Sequence, residues 1–555
     1  MLNLLLSLFL SIYYPPVAYE ISLAGNFGEP RPHHFHGGLD IRTDGVEGKP
    51  IYAIGDGYVS RVTMGKYGFG NAVYVTHPEG YTSVYCHLKS FSPRIHQAMR
   101  RFQYVHETSE GDARLSPLEC PVSRGQLIAL SGNTGHSSGP HLHLEIHDTE
   151  TWDMLDPYAF IGDYINDTIP PKAHSLMVFP QAGKGVFNNS ARKQSFGINS
   201  HRLSQTFTAW GNIGFGLWAN DYMQDSPNFY GIRETILNVD GKEVFHAVVD
   251  KIPVSSNRLV DSWGDYEHWL HHRVWYMKSY IEPGNNLPVL SANEHRGIVS
   301  FDQERDYHLM YILRDYKGNE SSYAFTVRGQ KSNIPRSEIP ENGNSRLFRW
   351  NQTNNYSAPG VQLIVPYGLL AADMRIQPVM TQKPDQVSDI YMFASASSPL
   401  LSPAEISIYA RMDMVGGNDI LYHEVDPSKF YVSVNGRFAG GTYHQGWVKG
   451  EALELAALYE LRYDEKPPVI DVKSGLRVEN GQIVVSLRDE QSGVASYKAT
   501  IDDQFVVFDE KEKTSLVICQ LSESPIRMTG KSHHLIFTAT DNRDNSRKIE
   551  TNFIY

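Results

Sequence analysis

Gly132-Asn-Thr-Gly-His-Ser-Ser-Gly-Pro-His141-Leu-His143-Leu-Glu145 is the stretch that decides what kind of molecule this is. Its first half is a glycine-rich loop. Its second half alternates polar and apolar residues from Pro140 to Ile146, the pattern of a β-strand. Side chains two apart on a strand share a face, so His141 and His143 look at one point, with Glu145 beside them. Far upstream stands His36-Gly-Gly-Leu-Asp40. Two histidines and one aspartate make a ligand set for a catalytic Zn²⁺ that keeps one position open. That leaves one histidine of the pair to hold metal and the other to do chemistry next to it.

Further blocks follow in order: Ala53-Ile-Gly-Asp-Gly-Tyr-Val59 and Tyr85-Cys-His87-Leu88 lie between those two stretches. Together, roughly from Ala24 to Phe160, they resemble the LytM/lysostaphin-type zinc peptidases of the M23 family, which cut peptide bonds in bacterial peptidoglycan. The resemblance implies His36, Asp40 and His143 as metal ligands and His87 and His141 as catalytic histidines. All five are present, so it does not imply an inactive relative.

The implied chemistry is coherent. Zinc lowers the pKa of its water to about 7 and polarises the scissile carbonyl. One histidine takes the water's proton and returns it to the leaving amine. The other hydrogen-bonds the oxyanion. The sequence does not say which of His87 and His141 does which. The Gly37-Gly38 pair argues against a helical His36/Asp40 arrangement and for a loop that turns both inward. Glu145, on the histidine face, is placed either to orient a ligand histidine or to sit as an ion-paired strand residue. With 23 histidines in the chain, most are structural. His33 and His34 are the nearest rival ligands, and His77 reads as structural or as a support behind the site.

Two decoys are set aside. Gly135-His-Ser137-Ser-Gly139 fits the nucleophile elbow of serine hydrolases, but that motif needs a following helix and Pro140 opens a strand. Gly65-Lys-Tyr-Gly-Phe-Gly70 reads as a hairpin connection, not a phosphate loop. No His-Glu-x-x-His is present, so helix-based zinc proteases are not indicated.

The 555 residues exceed one ordinary domain. Composition is that of globular protein, and 32 Tyr with 24 Phe suit strands. The formal net charge of −12 lacks the basic balance a nucleic-acid binder needs. Met1–Tyr14 is apolar but too short to span a bilayer. It reads as the core of a signal peptide over residues 1–18, though no Lys or Arg precedes it and no small-x-small cleavage site follows. No later stretch suits a transmembrane helix. Cys86, Cys120 and Cys519 are odd in number and read as free and buried.

The expected fold is mainly β. An antiparallel peptidase domain, 19–166, carries one helix over Ser92–Tyr104, in an insertion of about thirty residues expected to flank the cleft. Beyond Asp167-Thr-Ile-Pro-Pro171 an internal repeat appears. Tyr230–Gly241 resembles Ser492–Asp503, and His308–Asn319 resembles His534–Asn545. Both read as immunoglobulin-like β-sandwiches, 170–335 (with an insertion) and 467–555. Between them, 336–465 is a β-rich region that opens on the linker Glu341-Asn-Gly-Asn-Ser, and its Asn435-Gly436 marks a hairpin. The aromatic cluster Trp263, Tyr266, Trp269, Trp275 and Tyr276 reads as packing of the first sandwich's insertion or its docking on the peptidase domain, ahead of a sugar-stacking surface.

The resulting expectation is an exported, periplasmic or envelope-associated zinc metalloendopeptidase acting on peptidoglycan peptides. Its trailing β modules would place the enzyme or meet other envelope proteins. The competing class is a non-catalytic wall-binding or hydrolase-activating protein with a peptidase fold. A third reading keeps the chemistry and takes proteins as substrate.

Overall fold

The computed structural model describes residues 13–224, 226–336, 344–394, 399–415, 425–472, 478, 481–511 and 513–555. Most of the apolar leader and the start of the Glu341 linker lie outside the described residues.

The first domain is built on an antiparallel sheet. Its strands run in the order Leu23–Gly25, Gly38–Arg42, His141–Asp148, Tyr81–Cys86, Ala72–Thr76, Gly57–Met64 and Gly111–Arg114. Short β-branched and aromatic runs form it, and the Gly65–Gly70 turn joins an antiparallel pair as expected. Register is what matters for function: His143 pairs with Asp40 on one side and with Cys86 on the other. Gly38 makes the close fit between strands possible, since a Cβ there would stand 2.2 Å from the Leu144 carbonyl oxygen.

Residues 13–18, grouped with the leader from sequence, pack onto this domain. Val17 is fully buried, the Tyr13 ring meets Phe160, and the Tyr14 amide donates to Ile54 O. The expected helix runs Pro93–His106. The expectation that its insertion flanks the cleft is corrected. The helix lies against the last module instead, through Arg100 to Asp509 and Glu523 and through the rings of Tyr104 and Phe505. Its buried side, Ile95, Ala98 and Met99, faces the domain, leaving a charged outer face to pair with carboxylates.

The internal repeat is real in three dimensions. Strands Lys242–Val248, Glu234–Val239, Asp306–Arg314 and Glu320–Gly329 lie side by side, and Gln504–Val506, Val494–Ile501, Ser532–Asp541 and Ser546–Ile554 repeat that order. The hairpin corners match as well. Asp240 and Gly241 turn at φ of 51° and 78°, and Asp502 and Asp503 at 49° and 64°. In Ser532–Asp541 the buried residues Leu535, Phe537 and Ala539 alternate with less buried ones, the period-2 signature.

The two copies differ in closure. The last module has a separate second sheet of Val469–Val472, Gln482–Arg488, Leu516–Gln520 and Asp509–Glu510. In the first copy, strand Arg202–Asn220 also pairs in parallel with Glu320–Gly329, so its layers join into one ten-stranded sheet. The expected two separate sheets are thus fused. The cause is strand length: 16 and 19 residues in Lys172–Phe187 and Arg202–Asn220, enough to run from one layer to the other. Phe187, Phe207, Phe215 and Phe325 meet on the inner face.

The described residues between these copies form two five-stranded sheets and one two-stranded sheet with their own core, including Phe393, Ile406, Val432 and Tyr459. Asn435 and Gly436 make the expected hairpin turn, at φ of 50° and 82°. The first domain and the first module share one continuous core, and Met154–Leu155 of the one pairs with Lys251–Ile252 of the other. The aromatic insertion docks here: Trp263 is buried against Phe35, and Tyr266 meets His33. Among the described residues no helix is long and apolar enough to cross a membrane. The three cysteines are free and buried.

Candidate active site

Strand register delivers most of the site. Asp40 and His143 are direct cross-strand neighbours, His141 lies two residues before His143, and His87 follows Cys86 at the end of the adjacent strand. His36 precedes strand Gly38–Arg42 and swings inward through Gly37, where a Cβ would come within 2.5 Å of Glu145 Oε1. The ligand atoms of His36, Asp40 and His143 all lie within 4.8 Å of one another. His36 Nε2 is 3.0 Å from His143 Nδ1 and 3.0 Å from Asp40 Oδ1, and His143 Nδ1 is 2.8 Å from the same oxygen.

The outer nitrogens are tied down. His36 Nδ1 donates to Asn26 O at 2.6 Å, which leaves the Nε2 lone pair for the centre. His143 Nε2 meets Glu145 Oε1 at 2.9 Å, which leaves Nδ1. Glu145 in turn receives His147 Nε2 at 2.6 Å, and His147 Nδ1 lies 3.1 Å from Trp152 O. This chain of bonds fixes the ring and tautomer of His143. Arg31 holds the other oxygen of Asp40 at 2.9 Å.

His141 Nε2 lies 3.3 Å from Asp40 Oδ1, while its Nδ1 donates to Gly139 O at 2.8 Å. His87 donates from Nδ1 to Thr134 O at 2.8 Å, and its ring centre is 4.8 Å from that of His141. Its φ of 60° is a left-handed conformation that a non-glycine residue adopts at some cost, and such strain collects at functional positions. All five side chains thus converge on one cleft of about 890 Å³.

The imidazoles at the centre are pushed in opposite directions. Burial lowers the pKa of His36 to about 4 and, with the neighbouring histidines, that of His87 to about 3. Burial also acts against a charged His143, but its hydrogen bonds to Asp40 and Glu145 outweigh it and push its pKa up to about 9. Both carboxylates are held well below their usual range, hydrogen bonds and histidine charge overcoming their burial. A field that draws a proton onto a fully buried imidazole also suits a cation held by two imidazole nitrogens and a carboxylate, so the donor set fits zinc.

The other sequence candidates fall elsewhere. His33 is bound by Asp261 at 2.7 Å and Glu454 at 2.7 Å, and these carboxylates raise its pKa to about 9. His34 bonds Pro32 O at the cleft's rim. His77 joins Asp56 O to Ser83. Ser137 is no elbow nucleophile: strand His141–Asp148 follows it, and its hydroxyl donates to Gly139 O. Its oxygen is 3.2 Å from His141 Nδ1, but that nitrogen donates to the same carbonyl and has no lone pair to accept the serine proton. Sequence reasoning missed Asn26, Arg31 and Asn257. Asn257 Oδ1 accepts the Phe35 amide at 2.6 Å and steadies the loop before His36. Only Asn26-Phe-Gly-Glu-Pro-Arg31, lying just ahead of the ligand motif, offered a signal.

Two parts of the chain match known protein families. Residues 34–111 match the model of peptidase family M23, and residues 345–464 match that of the Zu5-like domain. An uncharacterized metalloprotease of Haemophilus influenzae is 34% identical over 120 residues, 22% of this chain and 19% of its own. The peptidoglycan DD-endopeptidase ShyA of Vibrio cholerae is 32% identical over 137 residues, 24% of this chain and 26% of its own. The catalytic domain of lysostaphin from Staphylococcus simulans is 22% identical, covering 26% of this chain and 92% of that one, with a TM-score of 0.20. The chain thus spans about a fifth to a quarter of the length of the curated relatives it matches. Its amino-terminal part is an M23-type peptidase domain.

Proposed function

We propose that this M23-type domain is an active zinc metalloendopeptidase that hydrolyses peptide bonds of peptidoglycan outside the cytoplasm. The observation that carries the reading is the convergence of His36, Asp40 and His143 within 4.8 Å, with both imidazoles turned by outer bonds to aim one nitrogen inward. These three residues would hold the zinc, which supplies Lewis-acid polarisation and an acidified water when bound.

The chain's own groups do the rest. His87 and His141 each give Nδ1–H to a backbone carbonyl and keep Nε2 for the cleft. One removes a proton from the attacking water and passes it to the leaving amine, and the other hydrogen-bonds the oxygen that gains charge. Asp40, bonded by Arg31, stays ionised throughout. The named activity of the Vibrio relative supports a stem or cross-link peptide as substrate.

The test pairs metal content with product analysis. Purified chain is expected to carry about one zinc and to release cleaved muropeptides from isolated sacculi, and His143→Ala is expected to abolish both. Ser137→Ala should remain within about twofold of wild type. A zinc-loaded chain that leaves sacculi intact sinks the catalytic reading and favours a wall-gripping role. Cleavage of proteins but not muropeptides moves the substrate.

A further inference from the structure

Among the described residues two more carboxylate clusters lie outside the cleft, and they are one cluster built twice. Oxygens of Asp167, Asp221 and Asp315 lie within 4.8 Å of one another, and so do those of Asp464, Asp489 and Asp541. The members correspond along the repeat. Asp167-Thr-Ile-Pro-Pro171 enters the first module and Asp464-Glu-Lys-Pro-Pro468 enters the last. Asp221 and Asp489 each follow directly on a strand, Arg202–Asn220 and Gln482–Arg488. Asp315 and Asp541 open the matching turns that close at Asn319 and Asn545.

The bonds are copied too. Asn319 gives its amide hydrogens to Asp315 Oδ2 at 2.6 Å and Asp167 O at 3.3 Å, and its backbone N–H to Asp315 Oδ1 at 2.9 Å. Asn545 does the same with Asp541 Oδ2 at 2.8 Å, Asp464 O at 2.9 Å and Asp541 Oδ1 at 2.9 Å.

Each cluster also holds a buried polar atom with nothing to bond. Asp221, 2% exposed, leaves Oδ1 without a hydrogen bond, and Ser492, 3% exposed, leaves its hydroxyl so. The Ser492 amide donates to Asp464 Oδ2, so this residue borders the second trio. Nearby cations are committed elsewhere. Lys317 donates to Gly162 O, and Arg543 to the carbonyls of Asn542, Ser428, Phe430 and Gly441. Burial and mutual repulsion push Asp221 up to about 9 and Asp167 to about 6, and burial raises Asp489. Groups so placed call for either protons or a cation.

We propose that each repeated module binds one hard divalent cation of the calcium class through its aspartate trio, fixing the incoming linker to the module body. All-oxygen donors suit calcium, whose flexible coordination tolerates trios of this kind better than magnesium's strict octahedron. Asp167 belongs to the segment arriving from the peptidase domain and Asp464 to the segment arriving from the Zu5-like region, so the ions would set the angle at two joints.

Calorimetric titration of metal-stripped full-length chain with calcium is expected to show two sites. Asp221→Asn should remove one, Asp489→Asn the other, and the double variant both. The His36/Asp40/His143 centre, with two nitrogen donors, does not add to the count. Millimolar calcium should raise the melting temperature of wild type by about 3 °C or more, and of the double variant not at all. Absence of calcium binding by wild type overturns the proposal, as does binding that survives both substitutions. Should Asp221→Asn fail to fold, the wild-type stoichiometry and Asp489→Asn still decide. If the trios hold protons instead, wild type ignores calcium and the asparagine variants melt higher than wild type at neutral pH.

Discussion

Glu145 shows how much one side chain off the reaction path can do. It touches no expected substrate, yet it bridges His143 and His147 from full burial and decides which nitrogen of His143 faces Asp40. Glu145→Gln keeps the shape and loses the charge. We expect zinc affinity to fall by about 10–100-fold, read by competition with a chromophoric chelator, while the circular dichroism stays that of wild type. Unchanged affinity would make Glu145 a strand residue and nothing more. The five site residues were legible because the motifs are contiguous and a two-residue strand period aims His141 and His143 together. Asn26, Arg31 and Asn257 were not, since each acts through a bond made only once distant loops have met.

At the scale of elements, Asp156 sits where strand Met154–Leu155 gives way to helix Tyr158–Ile161, and its carboxylate accepts the Tyr158 amide at 2.9 Å. Burial pushes its pKa up to about 7. The unfolded value is about 4, so between these the folded state holds a proton that the unfolded state has lost. Its contribution to stability therefore falls as pH rises from about 4 to about 7 and is level above that. Asp156→Asn keeps an acceptor for Tyr158 and removes the titration. The variant is expected to melt higher than wild type by about 2 °C or more at pH 8 and to lose that advantage near pH 4, as calorimetric scans across pH would show. A difference that does not narrow toward acid would contradict this.

The helix Pro93–His106 belongs to the same scale. Its existence and span were readable from its apolar spacing and Pro93 at its start. Its partner was not, because ion pairs between distant segments leave no period in a sequence. Arg100 grips Asp509 with both terminal nitrogens, at 2.7 and 2.5 Å, and reaches Glu523 at 3.0 Å. Arg100→Ala is expected to weaken this docking by about 1–2 kcal/mol, a partly exposed network being screened. Hydrogen exchange should speed up in Pro93–His106 and Asp509–Glu510 and stay unchanged in His141–Asp148. Exchange that rises equally in all three would instead report global loosening.

Across the whole molecule the modules form a closed circuit. The peptidase domain shares a core with the first module. That module bonds the Zu5-like region through Arg258 to Leu400 O at 2.6 Å and Leu453 O at 3.1 Å. Lys429 of that region reaches Arg543 O in the last module at 2.6 Å. The last module returns to the start, where Lys513 donates to Ser137 O at 2.6 Å on the loop beside the cleft. The repeat in the sequence foretold two like modules. It did not foretell the fused sheet of the first, which depends on strand length, or the circuit, which depends on surfaces that no single segment encodes.

That return contact has a consequence for synthesis. Arg100 leaves the ribosome 409 residues before Asp509. At translation speeds of about 5–20 residues per second, the charged flank of the young helix waits some tens of seconds for its carboxylates. Throughout that interval the helix displays a basic ridge, Arg94, Arg100 and Arg101, to whatever escorts nascent chains.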